Sequence, residues 1–174
     1  MTTSQLLFLV FLLLLGLQRL VEMRLSRRNE RRMQALGGYE IGQGHFLVMQ
    51  ALHAAWFAAM PLEVFLLERP FTPALALGAA VLFLLGQALR YAAISTLGYR
   101  WTVRVMALPE QPPVKHGIYR FLRHPNYLGV VLELLAVPLL HGAFLTALVF
   151  SILNAFLLYK RIRTEEQVWL PIRQ

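Results

Sequence analysis

Apolar residues dominate five stretches of the sequence, and each stretch approaches the length of a helix that crosses a bilayer. The stretches cover residues 3–20, 46–67, 73–94, 127–140 and 143–159. A spanning helix requires about 20 mostly apolar residues, or somewhat fewer where flanking side chains reach the interface. The pattern predicts an all-α integral membrane protein with five transmembrane helices, forming a single membrane domain over residues 1–174.

Two of these stretches need a closer description. The fourth is short and joins the fifth through His141 and Gly142, so the two are expected to form a tight helical hairpin. The first begins with "MTTSQ", which contains no basic residue, and no small-residue cleavage pattern follows it. We therefore expect a retained helix and not a signal peptide.

The composition agrees with a membrane protein and excludes several kinds of site. Hydrophobic residues make up 57% of the chain and charged residues 15%, which is far from the composition of a soluble protein. Because the chain has no cysteine, disulfide frameworks, thiolate metal sites and cysteine nucleophiles are excluded. No His, Asp or Glu cluster has the spacing of metal ligands, and no serine has a nucleophile-elbow context.

The 17 basic residues give a net charge of +8 and lie in blocks between the apolar stretches. Six fall within residues 19–32, six within 90–123 and four within 160–174, whereas Arg69 lies apart from these blocks. Such blocks favour contact with membrane lipids over binding of nucleic acid. The positive-inside rule then predicts an outside N-terminus and a cytoplasmic C-terminus, with a cytoplasmic loop over residues 95–126 and a cytoplasmic tail over residues 160–174.

The loop ends in "GIYRFLRHPNYLG", residues 117–129, directly before the fourth stretch. Pro125 is suited to the first position of a helix, so backbone amides of that first turn point toward the loop. A helix start of this kind favours a carboxylate or phosphate, and Arg123 and His124 add further donors. Alternatively, the cations and tyrosines serve only as interfacial anchors of a non-enzymatic lipid-binding or transport-related membrane protein.

A second polar cluster, "YKRIRTEEQVWL", follows the fifth stretch. Glu165 and Glu166 lie about one helical turn beyond Arg161 and Arg163, which permits pairing along the helix. Because the fifth helix returns to the side where the fourth begins, we expect the two glutamates to lie beside Arg123 and His124.

Several polar residues fall inside the apolar stretches, among them Gln50, His53, Glu63 and Glu133. Gln50 and His53 share one helix face, and for His53 we predict an interhelical hydrogen bond in preference to the alternative, a catalytic role. Glu63 is expected at the outer surface. Glu133 lies nearer to the two polar clusters, and its role is left open between a ligand contact and a structural bond.

These residues resemble the isoprenylcysteine carboxyl methyltransferase family of membrane enzymes. The resemblance rests on "GIYRFLRHPNYLG" followed by "RIRTEEQVWL" and extends over residues 17–170. The segment "GQALRYAAISTLGYRWT" also fits the family. The segment "RLVEMRLSRRNERRMQALGG" looks most like a bacterial subgroup associated with methylation of alkylpyrone or alkylresorcinol lipids.

The resemblance implies S-adenosylmethionine as the cofactor, bound at the cytoplasmic ends of the last helices of a bacterial plasma-membrane protein. It implies a lipophilic acceptor from the bilayer, either an alkylated pyrone or phenol lipid or a prenylcysteine carboxylate. No strand followed by the glycine-rich turn of a soluble methyltransferase is present. The catalytic residues implied are Arg123, Arg163 and Glu166. The cofactor contacts implied are Lys115, His116, Gly117, Tyr119, His124, Pro125, Tyr127, Leu128 and Glu165, with Val114 in the lead-in.

Overall fold

Five α-helices form the protein, whose computed structural model describes residues 1–42, 44–108 and 111–169. In chain order they are α1 (Thr3–Ala35), α2 (His45–Leu66), α3 (Pro73–Leu97), α4 (Pro125–Leu139) and α5 (Phe144–Trp169). Within the described residues α1, α2, α3 and α5 are long and apolar enough to cross a membrane. The 15 residues of α4 extend about 22 Å, less than the hydrocarbon core of a bilayer. An all-α membrane protein is confirmed, and the count of five crossings stays a prediction.

Two helices continue well beyond the ends that hydropathy predicts. Helix α1 reaches Ala35 instead of ending near position 20, and α5 reaches Trp169 instead of ending near position 159. Hydropathy detects only the part of a helix that lipid surrounds, whereas these extensions make polar contacts with the loop between α3 and α4, such as those of Ser26 and Arg161 with the backbone of Val103. Residues 109 and 110 of the predicted loop and residues 170–174 of the predicted tail lie outside the described residues.

Helices α3 and α4 approach each other closely at a pair of glycines. A Cβ atom added to Gly129 would lie 2.8 Å from the carbonyl oxygen of Gly86 and 2.6 Å from Cγ of Arg90. Small residues at such crossings let two backbones come into contact, as they do in many membrane helix pairs. The close approach brings the start of α4 against the C-terminal half of α3.

An apolar core fills the half of the bundle near the turn between α4 and α5 and joins α1, α2 and α4. Trp56 of α2 donates a hydrogen bond of 3.3 Å from Nε1 to the carbonyl oxygen of Leu134 in α4. The buried members of this core are Phe8, Leu12, Leu15, Trp56, Met60, Val64, Leu134, Val137 and Ala143.

Glu63 is buried and caps α5, so the expectation of an outer-surface residue was wrong. Its carboxylate accepts hydrogen bonds from the backbone amides of Leu145 and Thr146 at 3.0 and 2.7 Å, and from the Thr146 hydroxyl at 2.8 Å. Arg69 pairs with the same carboxylate at 2.9 Å. A carboxylate at a helix N-terminus satisfies amides that have no partner inside the helix, and this explains its burial.

The loop between α3 and α4 is held in place by the extension of α1. Ser26 accepts a hydrogen bond of 2.8 Å from the amide of Val103, and the Asn29 side chain donates one of 2.7 Å to the carbonyl oxygen of Trp101. A two-stranded antiparallel ladder adds β1 (Tyr39–Glu40) to β2 (Met106–Ala107). Short 3₁₀ turns at Gly98–Arg100 and Gly117–Arg120 complete the loop. This small ladder is an addition to the predicted all-helical architecture.

Candidate active site

Two cavities lie next to the start of α4. The larger, which we call the membrane cavity, has a volume of about 840 Å³ and is lined mainly by α1, α2 and α4. The smaller, which we call the cytoplasmic cavity because it adjoins the loop predicted to be cytoplasmic, has a volume of about 290 Å³ and is lined mainly by that loop and the end of α5. Residues of the loop contribute to both, because Trp101, Thr102 and Val103 line the membrane cavity and Met106 and Leu108 line the cytoplasmic cavity.

The cytoplasmic cavity brings together the two polar clusters of the sequence. Nδ1 of His124 lies 3.9 Å from Oε2 of Glu165, and Nε2 of His124 lies 3.8 Å from Oε1 of Glu166. The predicted approach of both glutamates to His124 is therefore present in the structure. Arg123 lines the same cavity, although within the described residues it forms no ion pair with either glutamate.

Tyr119 and Lys115 add polar groups to the wall of the cytoplasmic cavity. Burial raises the pKa of the Tyr119 phenol above its ordinary value, and the nearby Glu165 carboxylate raises it further. The phenol therefore stays protonated at neutral pH and can donate a hydrogen bond. Apolar side chains complete the lining, namely Met33, Leu97, Met106, Leu108, Pro113 and Val114.

Tyr127 lies at the junction of the two cavities. Its hydroxyl donates a hydrogen bond of 2.7 Å to Oε2 of Glu165 and accepts one of 2.9 Å from Nε of Arg161. Its ring stacks on His124, with ring centroids 5.4 Å apart and planes 13° from parallel. Because Tyr127 and Arg161 line the membrane cavity while Glu165 and His124 line the cytoplasmic cavity, these contacts join the two cavities.

Arg161, and not Arg163, is the arginine of α5 that reaches this junction. Arg161 is buried and also donates a hydrogen bond to the carbonyl oxygen of Val103. Arg163 is exposed and lies over the ring of Tyr159. The reason is helical phase, since Arg163 lies about 200° around the helix from Arg161, whereas Glu165 lies only about 40° from it. Arg161 precedes Glu165 by four residues, so the two side chains lie on the same helix face. This spacing is the sequence signal that identifies Arg161.

The remaining predicted contacts do not line either cavity. Pro125 is buried as the first residue of α4. Gly117 has a φ of +57°, and a Cβ atom there would lie 2.6 Å from Oγ1 of Thr96, so a glycine is required at this position for packing. His116 is exposed, and the side chain of Leu128 is 41% exposed on the outside of the bundle.

A group of four charges, three of them buried and Arg19 half-buried, borders the membrane cavity. Arg19 pairs with Glu22 at 2.6 Å and with Glu133 at 2.7 Å, whereas Arg90 pairs with Glu22 and lies 3.3 Å from Glu133. Gln87 donates a further hydrogen bond of 2.8 Å to Glu133. Burial of two cations is tolerated because two carboxylates neutralise them.

The sequence alone predicts only part of what these charged residues do. Arg19 and Arg90 were counted among the cytoplasmic cations, yet both point into the bundle. Glu133, whose role was open, makes structural ion pairs and also borders the cavity. The available signal was the spacing of three residues between Arg19 and Glu22 at the edge of an apolar stretch, and between Gln87 and Arg90 within another.

His53 lines the membrane cavity, but its hydrogen bond differs from the predicted one. Nδ1 lies 2.8 Å from the carbonyl oxygen of Met49, one turn earlier in the same helix. The expected interhelical bond was therefore wrong for this nitrogen, because the backbone carbonyl within α2 is the nearer partner. Gln50 lines the same cavity on the same helix face.

The chain is similar over nearly its whole length to two bacterial proteins. It is 36% identical over 160 residues to the protein YpbQ of Bacillus subtilis, covering 92% of this chain and 95% of that protein. It is 29% identical over 149 residues to a protein of Haemophilus influenzae, covering 85% of this chain and 86% of that protein. No solved structure matches the chain.

A eukaryotic enzyme matches a shorter part. The protein-S-isoprenylcysteine O-methyltransferase of Schizosaccharomyces pombe is 34% identical over 84 residues, which cover 47% of this chain and 36% of that enzyme. The model of the isoprenylcysteine carboxyl methyltransferase (ICMT) family matches residues 79–170, a segment that contains His124, Tyr127, Arg161 and Glu165. With more than half of its length in that match, the chain belongs to the isoprenylcysteine carboxyl methyltransferase family.

Proposed function

We propose that this protein is a membrane-embedded O-methyltransferase that uses S-adenosylmethionine and acts on a lipophilic acceptor. In this proposal the cofactor binds in the cytoplasmic cavity and the acceptor enters the membrane cavity from the bilayer. The observation that carries the proposal is the pair of hydrogen bonds at Tyr127, which join one cavity to the other. Membership of a family of membrane methyltransferases supports the same reaction class.

The residues of the cytoplasmic cavity fit the chemistry of this cofactor. S-adenosylmethionine carries a carboxylate, an ammonium group, ribose hydroxyls, an adenine ring and a sulfonium cation. Arg123 and Lys115 are suited to the carboxylate, and Glu165 and Glu166 to the ammonium group or the hydroxyls. The apolar part of the lining, which includes Met33 and Leu108, is suited to the adenine ring.

The membrane cavity fits an amphiphilic acceptor. Its lining is largely apolar, and its polar groups are concentrated near Arg19, Glu133, Tyr127 and Arg161. Such a cavity suits a long alkyl chain with one polar end. We propose an alkylated pyrone or phenol lipid as the acceptor, with a prenylcysteine carboxylate as the second candidate.

The contribution of the chain to this reaction is positioning and exclusion of water. When bound, S-adenosylmethionine supplies an electrophilic methyl group. Tyr127 and Glu165 hold the wall between the cavities, and Arg161 keeps a buried positive charge at the same point. Holding two reactants in the right geometry in a site without bulk water accounts for a large part of the catalysis of such transfers.

We further propose that the protein lies in a bacterial plasma membrane with its N-terminus outside and its C-terminus in the cytoplasm. The basic blocks support this orientation, since 16 of the 17 basic residues lie in segments assigned to one side. The cytoplasmic cavity then faces the compartment in which S-adenosylmethionine is made.

Two measurements on the detergent-solubilised protein test the function. Calorimetric titration with S-adenosylhomocysteine should show saturable binding, and labelled S-adenosylmethionine should transfer its methyl group to alkylated phenols or pyrones or to a prenylcysteine. Binding that depends on anionic lipid and salt, with no response to millimolar S-adenosylhomocysteine, would favour the lipid-binding alternative.

Variants of the two glutamates test the location of the cofactor. Glu165→Gln and Glu166→Gln keep the size of the side chain and remove its charge, so each should reduce methyl transfer far more than thermal stability. Melting curves recorded beside the transfer assay separate the two effects. If both variants melt normally and transfer methyl groups at the parent rate, the proposed location of the cofactor is wrong.

A further inference from the structure

We infer that His53 is the proton acceptor for the hydroxyl group of the methyl acceptor, and that the membrane cavity is built for an acidic hydroxyl such as a phenol or an enol. This inference rests on the proposed function and adds a catalytic residue to it. His53 lies on α2, outside the segment 79–170 that carries the family match.

The tautomer of His53 follows from its hydrogen bond. Nδ1 lies 2.8 Å from the carbonyl oxygen of Met49. A carbonyl oxygen only accepts hydrogen bonds, so Nδ1 must carry the hydrogen. In the neutral ring Nε2 is then the unprotonated nitrogen, with a lone pair available to a donor.

Nε2 is open to the membrane cavity. His53 lines this cavity, and within the described residues its Nε2 has no hydrogen-bond partner in the protein. Some polar atoms of the bundle, such as Nδ1 of His141 and Nε1 of Trp101, have no partner and are completely buried. Nε2 of His53 is not one of these completely buried atoms. A hydroxyl group placed in the cavity can therefore reach Nε2.

The other acidic or hydroxyl groups of the cavity are already engaged. The two oxygens of Glu133 accept hydrogen bonds from Gln87 and Arg19. Glu22 is bonded through both oxygens as well. The hydroxyl of Tyr127 both donates and accepts a hydrogen bond. Among the ionisable groups that line the cavity in the described part of the chain, His53 is left with an unused acceptor.

The proposed step is balanced as follows. The hydroxyl proton of the acceptor moves to Nε2 of His53, and the oxygen forms a bond to the methyl carbon. The bond between that carbon and the cofactor sulfur breaks, and its electron pair remains on sulfur, so that S-adenosylhomocysteine and a methyl ether are formed. His53 then returns its proton to water.

A cation at the cavity supports ionisation of the acceptor. Arg161 lines the cavity and, in the described part of the chain, forms no ion pair with a carboxylate, so its charge can stabilise an oxyanion there, whereas Arg19 and Arg90 are neutralised by Glu22 and Glu133. A carboxylate acceptor is already ionised at neutral pH and needs no base. The presence of a proton acceptor is therefore what distinguishes a cavity for phenols or enols from one for carboxylates.

A spectroscopic experiment tests the proton transfer without turnover. An alkylated nitrophenol changes colour on ionisation, and it is added to the protein in the presence of S-adenosylhomocysteine. The wild type should bind this probe in its ionised form below the pKa that the probe has in solution. His53→Asn keeps a donor toward the Met49 carbonyl and lacks Nε2, so it should bind the neutral form. The same ionised spectrum in both proteins would overturn the inference.

A kinetic experiment uses a phenol and a carboxylate acceptor side by side. His53→Asn should lower kcat for an alkylated phenol about a hundredfold or more, the range of general-base catalysis, and lower kcat for a farnesylcysteine far less. Val48→Ala, at an exposed position of α2 that does not line the cavity, is the control and should change neither kcat. Added imidazole should restore part of the phenol turnover of His53→Ala.

The outcomes of the two experiments are separable. An equal loss for phenol and carboxylate would show that His53 acts only through packing and would overturn the inference. Turnover of the carboxylate alone by the wild type would overturn it as well and leave the proposed function intact. Turnover of neither acceptor would contradict the proposed function, and the nitrophenol spectrum would still decide whether His53 takes up a proton.

Discussion

The hydroxyl group of Tyr127 lies 2.7 Å from Oε2 of Glu165 and forms the shortest link between the start of α4 and the end of α5 at the candidate active site. The two residues are 38 positions apart in the sequence. The hairpin of α4 and α5 brings them together because α5 ends on the side of the bundle where α4 begins.

Removal of the Tyr127 hydroxyl should weaken cofactor binding. Tyr127→Phe keeps the ring that stacks on His124 but leaves Glu165 and Arg161 without their common partner. A hydrogen bond to a charged group contributes about 1.5–3 kcal/mol, so affinity for S-adenosylhomocysteine should fall about ten- to a hundredfold. Calorimetric titration measures this change, and an unchanged affinity would show that Tyr127 does not position the cofactor site.

Arg161 and Arg163 provide a matched pair of substitutions. Arg161→Gln removes buried hydrogen bonds to the Tyr127 hydroxyl and the Val103 carbonyl, so methyl transfer should fall at least about tenfold, and stability should fall by about 1–3 kcal/mol. Arg163→Gln removes the same charge from an exposed position and should change little. Transfer assays and melting curves compare the two. Similar losses in both variants would mean that charge alone, and not the contact with Tyr127, is important.

The glycine contact between α3 and α4 predicts a large effect of a single methyl group. In Gly129→Ala the new Cβ would lie 2.6 Å from Cγ of Arg90, so the helices must separate at a cost of about 1–3 kcal/mol. The control is Gly78→Ala in α3, where no atom lies within 4 Å and alanine favours the helix. Thermal melting in detergent should show a lower Tm for Gly129→Ala than for Gly78→Ala, and equal values would exclude the close contact.

The proposed orientation is testable because the chain has no cysteine. Single cysteines at Gln34 and Thr72, both exposed, should be labelled from opposite sides of the membrane. A membrane-impermeant thiol reagent applied to intact cells should modify the cysteine at Thr72 and reach the one at Gln34 only after lysis. Ser26 is unsuitable because it is buried against the loop. Labelling of both positions in intact cells would contradict the orientation.

Local sequence features determined the helical membrane architecture and the main part of the candidate site. Hydropathy located all five helices, because lipid demands a continuous apolar surface over the length of each span. The order of His124, Pro125 and Tyr127 marked the start of α4, because proline is suited to the first turn of a helix. The pair Glu165 and Glu166 was assigned to the same place because a hairpin must return to its origin.

Tertiary structure alone decided which side chains face one another. Arg161 replaces Arg163 at the junction because the rotation of α5 against α4 is set by packing along the whole hairpin. Arg19 and Arg90 turn inward because the carboxylates that neutralise them come from two other positions, Glu22 and Glu133, and Glu133 lies on another helix. Pairing of this kind depends on distances in space between residues that are far apart in the chain. A pattern of hydrophobic and polar positions records which groups avoid lipid, but it does not record which partner compensates the burial of each charge.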